Sequence, residues 1–223
     1  MKIKSFLQLI ILFLTAVMLA RPAFAALSEA EAKVWAENKG GEILQILAAD
    51  DRQQKYDKLD EILHNDIDLD HGAKFVAGKY WRQMTEMQKE QYVPLFKRYM
   101  AATYKTYPLD IQRGAVRFTV DKVLPSKDTT DVFCTVYIAA AITDEAKPDG
   151  IKVIFNLNAD GEKIRVRDIK VAESSLLQAL RERFYKMIHQ DSDDEIDWFL
   201  EDLTAIVEDT EEKNQEKLDA VAF

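Results

Sequence analysis

The stretch from Phe75 to Tyr104 reads FVAGKYWRQMTEMQKEQYVPLFKRYMAATY. It carries seven aromatic side chains in thirty residues, more than ordinary core packing usually requires. The spacing of its apolar residues predicts two consecutive helices. Asp70 can cap the first, and Thr85 can begin the second through a capping box with the glutamine three residues later. Pro94 lies inside the second helix, where it removes a hydrogen bond, so we expect a kink there.

Two more helices are predicted before this stretch. Ser28 and Glu31 form a capping box that begins the first of them. Gly40 and Gly41 weaken that helix, because glycine has a low helix propensity. The second helix fits residues 51–64, where apolar side chains recur on one side.

Four runs of alternating apolar and polar residues follow the aromatic helices, as in strands with one apolar face. Their apolar positions are Val116, Phe118 and Val120; Val132, Cys134, Val136 and Ile138; Ile151, Val153, Phe155 and Leu157; and Ile164 and Val166. Short connections, one of them an Asp-Gly turn, predict an antiparallel meander. After Asp168 the apolar positions shift to Ile169 and Val171, which predicts a β-bulge or a strand end. Ser174 or Ser175 then caps another helix.

These elements predict an α+β fold. We expect a curved antiparallel sheet of about four strands, flanked by N-terminal and C-terminal helices. The patterns show an apolar face on each layer but do not show an apolar cavity between the layers. Residues 26–223 are expected to form a single domain, which is long enough to bury its own core. A last, acidic helix is expected over residues 191–219.

Residues 1–25 have the pattern of a secretory signal peptide. Lys2 and Lys4 precede an apolar run, and residues 23–25 read Ala-Phe-Ala, which suits signal peptidase. The apolar run is too short to span a bilayer of roughly 30 Å as a helix. Because Ala26 follows instead of a cysteine, we expect an exported protein without a lipid anchor.

Charge is concentrated in the acidic segment, residues 191–219. This segment holds thirteen acidic residues against two lysines and contributes −11 to the chain total of −9. It is either a solvated helical face or a docking surface for a basic partner. The chain has no basic stripe, so we expect no nucleic acid partner. Cys134 is the single cysteine and lies on the apolar side of a strand, which predicts a buried, inert thiol.

The sequence has no motif that predicts catalysis. Its histidines, His64, His71 and His189, belong to no GxSxG, HExxH or Cys/His pattern. Aspartates lie between the first two, but the EF-hand glycine and closing glutamate are missing, so a polar loop is expected there. Asp121 and Asp168 are isolated carboxylates that are expected to be structural. We therefore expect no catalytic residue, no metal and no cofactor.

The order and spacing of the motifs resemble the MlaC family, also called toluene-tolerance proteins. The residues on the family's lG-x-YW, TpxQ and FxxxF…TY elements are Phe75, Gly78, Tyr80, Trp81, Thr85, Gln88, Phe96 and Tyr104. The segment VRDIKVAESSLLQALRERF is similar to another family element, on which Asp168, Ser175, Leu176, Arg181 and Phe184 match. Glu173 departs from a usual glycine and Ile164 from a usual tryptophan, and Pro94 interrupts a family helix.

The resemblance implies a periplasmic carrier that holds phospholipid as its ligand and shuttles it between inner and outer membranes, maintaining lipid asymmetry. It also implies two partners: an inner-membrane ABC transporter complex with an MCE-domain ring, and an outer-membrane lipoprotein–porin complex. We expect a monomer. Burying roughly 30 methylenes is worth on the order of 20 kcal/mol, so the acyl chains need a deep, dry, apolar cavity.

The expected lipid-binding residues come from the aromatic helices and from the apolar sheet face, which should face each other across the cavity. They are Val76, Tyr80, Phe96, Tyr99, Val116, Phe118, Val132, Val136, Ile151, Val153 and Phe155. Arg181 is expected to pair with Asp168. Two alternative functions remain. One is a periplasmic holdase that binds unfolded chains through exposed aromatic side chains, and the other, which the sequence supports less, is a small hydrolase.

Overall fold

The computed structural model describes residues 27–107, 114–138, 150–161 and 163–220. Within these ranges the chain forms six α-helices and one five-stranded sheet. The helices are α1 (Glu29–Leu47), α2 (Arg52–Asp66), α3 (Leu69–Ala77), α4 (Glu86–Tyr104), α5 (Leu176–Lys186) and α6 (Ile196–Asp219). The strands are β1 (Val116–Pro125), β2 (Thr130–Ile138), β3 (Ile151–Asp160), β4 (Lys163–Val171) and β5 (Ser174–Ser175). The α+β prediction is confirmed, with a short fifth strand added to the expected four. The expected signal peptide lies outside the described residues.

The sheet is an antiparallel meander with the strand order β1-β2-β3-β4-β5. Its register places Phe118 opposite Val136 and Phe155 opposite Ile169. Because side chains alternate between the faces of a sheet, this register collects the predicted apolar positions on one face.

The register between β3 and β4 shifts once. Asn156 pairs with Asp168, but Leu157 pairs with Val166, so Arg167 is left as an extra residue on β4. This bulge brings Val166 and Ile169 to the same side of the sheet. The shift in apolar positions predicted either a β-bulge or a strand end, and the structure has the bulge.

Most predicted helix caps are confirmed. Side chains that accept a hydrogen bond from the backbone three residues later belong to Ser28, Thr85 and Ser175. The prediction for α3 is wrong, because Asp68 and not Asp70 caps this helix, with His71 N at 3.1 Å from Asp68 Oδ1. The helix begins earlier because Asp68 N donates to Val166 O at 2.9 Å, which fixes the chain to β4.

The acidic helix, in contrast, begins later than expected. Residues 187–191 form a π-helical turn, and Asp193 and Asp194 have positive φ values of 48° and 63°. These conformations cannot continue a helix, so α6 begins at Ile196. No helix in the described ranges is long and apolar enough to cross a membrane.

The described residues form two hydrophobic cores, which involve different elements. The helical core lies among α3, α4, α5 and α6; its largest members include Val76, Tyr80, Tyr92, Phe96, Tyr99, Phe184, Phe199 and Leu203. The sheet core lies between α1 and the apolar sheet face; its members are Ala32, Ala36, Val123, Val132, Cys134, Leu157 and Val166. Ile67 packs against both. Helix α1, and not the aromatic helices, therefore covers the apolar sheet face.

Candidate functional site

Helix α1 approaches the sheet through a stripe of small residues. Ala32, Ala36 and Gly40 follow one another at intervals of four, so they lie on one side of the helix. Ala32 and Ala36 are buried. A Cβ atom placed on Gly40 would lie 2.5 Å from Phe118 Cδ1 and 2.6 Å from Phe118 Cε1. The phenyl ring of Phe118 therefore packs directly against the backbone of α1, and any side chain larger than that of glycine would require the ring or the helix to shift.

Next to this contact, α1, α2 and the sheet enclose a cavity of about 80 Å³. Its lining consists of Trp35, Ala36, Lys39, Gly40, Ile43, Ile62, Asp66, Ile67, Phe118, Phe155, Val166 and Ile169. The rings of Phe118 and Phe155 meet edge to face with their centroids 6.4 Å apart. This lining is apolar apart from one lysine and one aspartate, which is the composition of a site for an apolar ligand.

The two charged residues of the lining pair with each other. Lys39 Nζ lies 2.8 Å from Asp66 Oδ2 and 2.6 Å from Glu42 Oε2. Burial opposes the charge of Lys39, but the hydrogen bonds to Asp66 and Glu42 outweigh it and raise the pKa of the ammonium group. Lys39 therefore keeps its positive charge beside Asp66, and the pair places polar groups at the edge of an otherwise apolar cavity.

Further apolar side chains of the same elements are only half-buried. On α1 and α2 they are Ile43, Leu44, Ile46, Leu47, Leu59 and Ile62; on the sheet they are Val116, Phe118, Val120, Val136 and Ile151. A folded domain normally buries most side chains of this type. Their incomplete burial beside an apolar cavity indicates a surface that an apolar ligand would cover.

The structure separates the two predicted sets of lipid-binding residues. Val76, Tyr80, Phe96 and Tyr99 are at most 3% exposed and belong to the helical core. Phe184 fills the space between them, with its ring centroid 5.2 Å from Tyr99 and 6.0 Å from Phe96. The expectation that these residues face the strands is therefore wrong, because the aromatic helices pack on each other and α1 occupies the sheet face.

The predicted strand residues share one face but differ in their surroundings. Phe118 and Phe155 line the cavity. Val132 is fully buried in the sheet core. The remaining members lie toward the other end of the sheet face: Val116, Val136 and Ile151 are half-buried, and Val153 is buried.

Sequence reasoning missed several cavity residues, namely Trp35, Gly40 and Ile43 on α1 and Ile67 in the connection between α2 and α3. A signal for them was present in the small residues at every fourth position of α1, since such a stripe allows a helix to lie close to a sheet. Gly40 instead appeared only as a weak point of the helix. Ile67 carries no periodic signal, because it lies between two helices and is fixed by a single bridge to Val166.

The expected ion pair between Arg181 and Asp168 does not form. Asp168 Oδ1 accepts a hydrogen bond from Leu177 N at 3.2 Å, in the first turn of α5. Arg181 Nη2 donates to Tyr185 Oη at 3.1 Å, and its guanidinium lies 5.2 Å from the ring centroid of Phe75. Asp168 thus fixes α5 to the sheet through the helix N-terminus, which offers free N–H groups.

The described residues contain no group of three or more His, Cys, Asp or Glu side chains that could hold a metal ion. Hydrogen bonds from Thr135 and Lys152 hold the pKa of Asp121 below its usual value, so this carboxylate is part of a surface network. Cys134 is a free, buried cysteine, as predicted, and burial raises the pKa of its thiol to about 12.

Comparison with known proteins agrees with this fold. A phospholipid-binding protein from Ralstonia solanacearum, solved in complex with a phospholipid, superposes with a TM-score of 0.63 and 16% sequence identity. The match covers 82% of this chain and 99% of that one. No curated protein sequence matches the chain. The sequence model of the family described as "MlaC protein" matches residues 38–205 of the 223. The chain therefore belongs to the MlaC family.

Proposed function

We propose that this chain is a periplasmic phospholipid carrier that binds acyl chains between α1, α2 and the sheet and catalyses no reaction. The observation that carries the proposal is the apolar cavity with half-buried apolar side chains around it, in a member of the MlaC family. The phospholipid bound to the Ralstonia protein of similar fold supports the same ligand class. Membership of the family also supports transfer of phospholipid between inner and outer membranes, with a role in lipid asymmetry.

The cavity must widen to accept its ligand. At about 80 Å³ it is smaller than an engineered cavity of roughly 150 Å³ that binds benzene or xenon. Helix α1 is the element best able to move, because its buried residues are Ala32 and Ala36, whose side chains bury little apolar area. Acyl chains that enter would replace this small contact with a much larger one, worth about 0.8 kcal/mol for each methylene buried.

The polar headgroup would remain outside the apolar space. The ion pair between Lys39 and Asp66 lies at the edge of the cavity, with 21% and 17% of the two side chains exposed. It provides a charged boundary beside which a phosphate can stay hydrated. In the cell, the proposed partners are an inner-membrane ABC transporter complex with an MCE-domain ring and an outer-membrane lipoprotein–porin complex.

Two substitutions on α1 test the location of the ligand. Ile43→Glu places a carboxylate in the cavity lining, where acyl chains would leave it without water, so bound phospholipid should be lost. Val34→Glu makes the same chemical change on the same helix, at a side chain that is 56% exposed, and should leave the lipid content unchanged. The content is measured by native mass spectrometry of both purified variants. Equal lipid content in the two variants would contradict this location.

Transfer activity needs a separate assay. The purified chain should accelerate the movement of a fluorescent phospholipid from donor to acceptor vesicles, and Ile43→Glu should not. The phospholipid should be recovered intact. Release of fatty acid or of a free headgroup would show hydrolysis and would contradict a carrier function.

A further inference from the structure

A second concave surface lies between α4 and α6 and is separate from the proposed lipid cavity. This α4/α6 groove has a volume of about 720 Å³. Pro94 on α4 and Ala205 on α6 contribute short side chains to its lining, which leaves space between the two helices. Leu95 and Leu200 form an apolar floor and are only 7% and 6% exposed.

One wall of the groove is acidic. Asp197, Glu201 and Glu208 line it from α6, at spacings of four and seven residues that place them on one side of the helix. Among the described residues of the lining, the positively charged side chain is that of Arg98. It already binds Glu211 through two hydrogen bonds, of 3.1 and 2.7 Å. The groove therefore combines an apolar floor with an excess of negative charge.

The length of the groove suits a short helix. From Asp197 to Glu208 the wall extends about 16 Å along α6, which corresponds to three helical turns. A helix-in-groove contact needs apolar anchors at the floor and complementary charge at the rim. We propose that the α4/α6 groove binds a cationic amphipathic helix of a partner protein, with apolar side chains on Leu95 and Leu200 and basic side chains along the acidic wall.

The charge of the groove disfavours other occupants. A second copy of this chain would bring its own acidic α6 against the acidic wall, and like charges oppose that contact. An anionic membrane surface would be repelled for the same reason. The inference does not depend on the proposed lipid carriage, because the described residues that line the groove and those that line the cavity are different.

The test uses a model peptide and the full mature chain. The peptide has roughly 14 residues, about 21 Å as a helix, with leucines on one face and lysines on the other. A control peptide has serine in place of each leucine. Isothermal titration calorimetry at physiological ionic strength should show binding of the leucine peptide and at least about tenfold weaker binding of the serine peptide. Equal binding of both peptides would mean attraction by charge alone and would overturn the proposal.

Matched charge reversals locate the site. Glu201→Lys with Glu208→Lys should weaken binding of the leucine peptide about tenfold, because two attractions become repulsions at the groove. Glu212→Lys with Glu216→Lys changes the net charge equally at exposed positions of the same helix outside the groove and should have a much smaller effect. If both pairs of substitutions weaken binding of the leucine peptide equally, the proposal is overturned. It is also overturned if the chain self-associates and Ala205→Trp abolishes that self-association, because the groove would then bind a second copy of the chain. Lipid content should stay at the wild-type level in every variant.

Discussion

The contact between α1 and the sheet can be tested by adding a single methyl group to α1. Replacing Gly40 with alanine places a Cβ atom 2.5–2.6 Å from the ring of Phe118, whereas non-bonded carbon atoms prefer about 3.5–4.0 Å. Either the ring or the helix must move by about 1 Å. The same substitution at Gly41 meets nothing within 4 Å, so it is a matched control one residue away in the same helix.

The expected magnitudes follow from two opposing effects. Both alanines should favour the helix by about 0.8–1 kcal/mol relative to glycine. At Gly40, overpacking against Phe118 should oppose this by about 1–3 kcal/mol. Gly41→Ala should therefore increase the free energy of unfolding by up to about 1 kcal/mol. Gly40→Ala should leave it unchanged or decrease it by up to about 2 kcal/mol.

Urea unfolding of delipidated protein, followed by circular dichroism at 25 °C, measures both values. Lipid must be removed first, because a ligand that binds only the folded state would raise the apparent stability. The difference between the two variants should be about 1–3 kcal/mol. If Gly40→Ala is as stable as Gly41→Ala, α1 does not pack on Phe118 and the proposed cavity wall is misplaced.

Three further predictions concern other parts of the molecule. Cys134 should not react with a thiol reagent at pH 8 in the folded state, because burial raises the pKa of its thiol to about 12; rapid labelling would contradict this burial. Gly78→Ala should lower the free energy of unfolding by about 2 kcal/mol or more, because φ is 53° and the new methyl would overlap Tyr185 Oη; an unchanged urea midpoint would refute it. A hydrogen bond from Tyr80 lowers the pKa of Asp194 below its usual value of 3.8. The stabilisation from this carboxylate is therefore fully present above pH 3.8 and is lost as the pH falls through the lower pKa of the folded state. Asp194→Asn should therefore be less stable than wild type at pH 6 and equal to it in strong acid, and a constant difference between these conditions would contradict the assignment.

The sheet could be predicted from the sequence almost completely. Alternation of apolar residues defines which side of each strand is buried, and that information is local. It also revealed the bulge near Asp168, because one extra residue inverts the pattern. Caps such as Ser28 and Thr85 were equally local, since a side chain binds the backbone three residues away.

The arrangement of the layers could not be predicted in the same way. Periodicity shows that Tyr80 and Phe96 have a buried side, but it does not show which element buries them. Aromatic residues drew attention to α4, while the residues that cover the sheet, Ala32 and Ala36, have small side chains and give a weak hydrophobic signal. The predicted pairing of Arg181 with Asp168 was wrong for a related reason. Tyr185 and Phe75 contact this cation instead, and the sequence pattern does not show that these rings lie beside it.

The proposal that this chain carries intact phospholipid is tested most directly by native mass spectrometry of freshly purified protein comprising residues 26–223. We expect a folded protein with additional mass that matches a phospholipid, and recovery of the same phospholipid after denaturation and extraction. Under the same conditions Ile43→Glu should show the mass of the chain alone. A wild-type chain without lipid, or one bound to heterogeneous polypeptides as a holdase would be, would contradict the account.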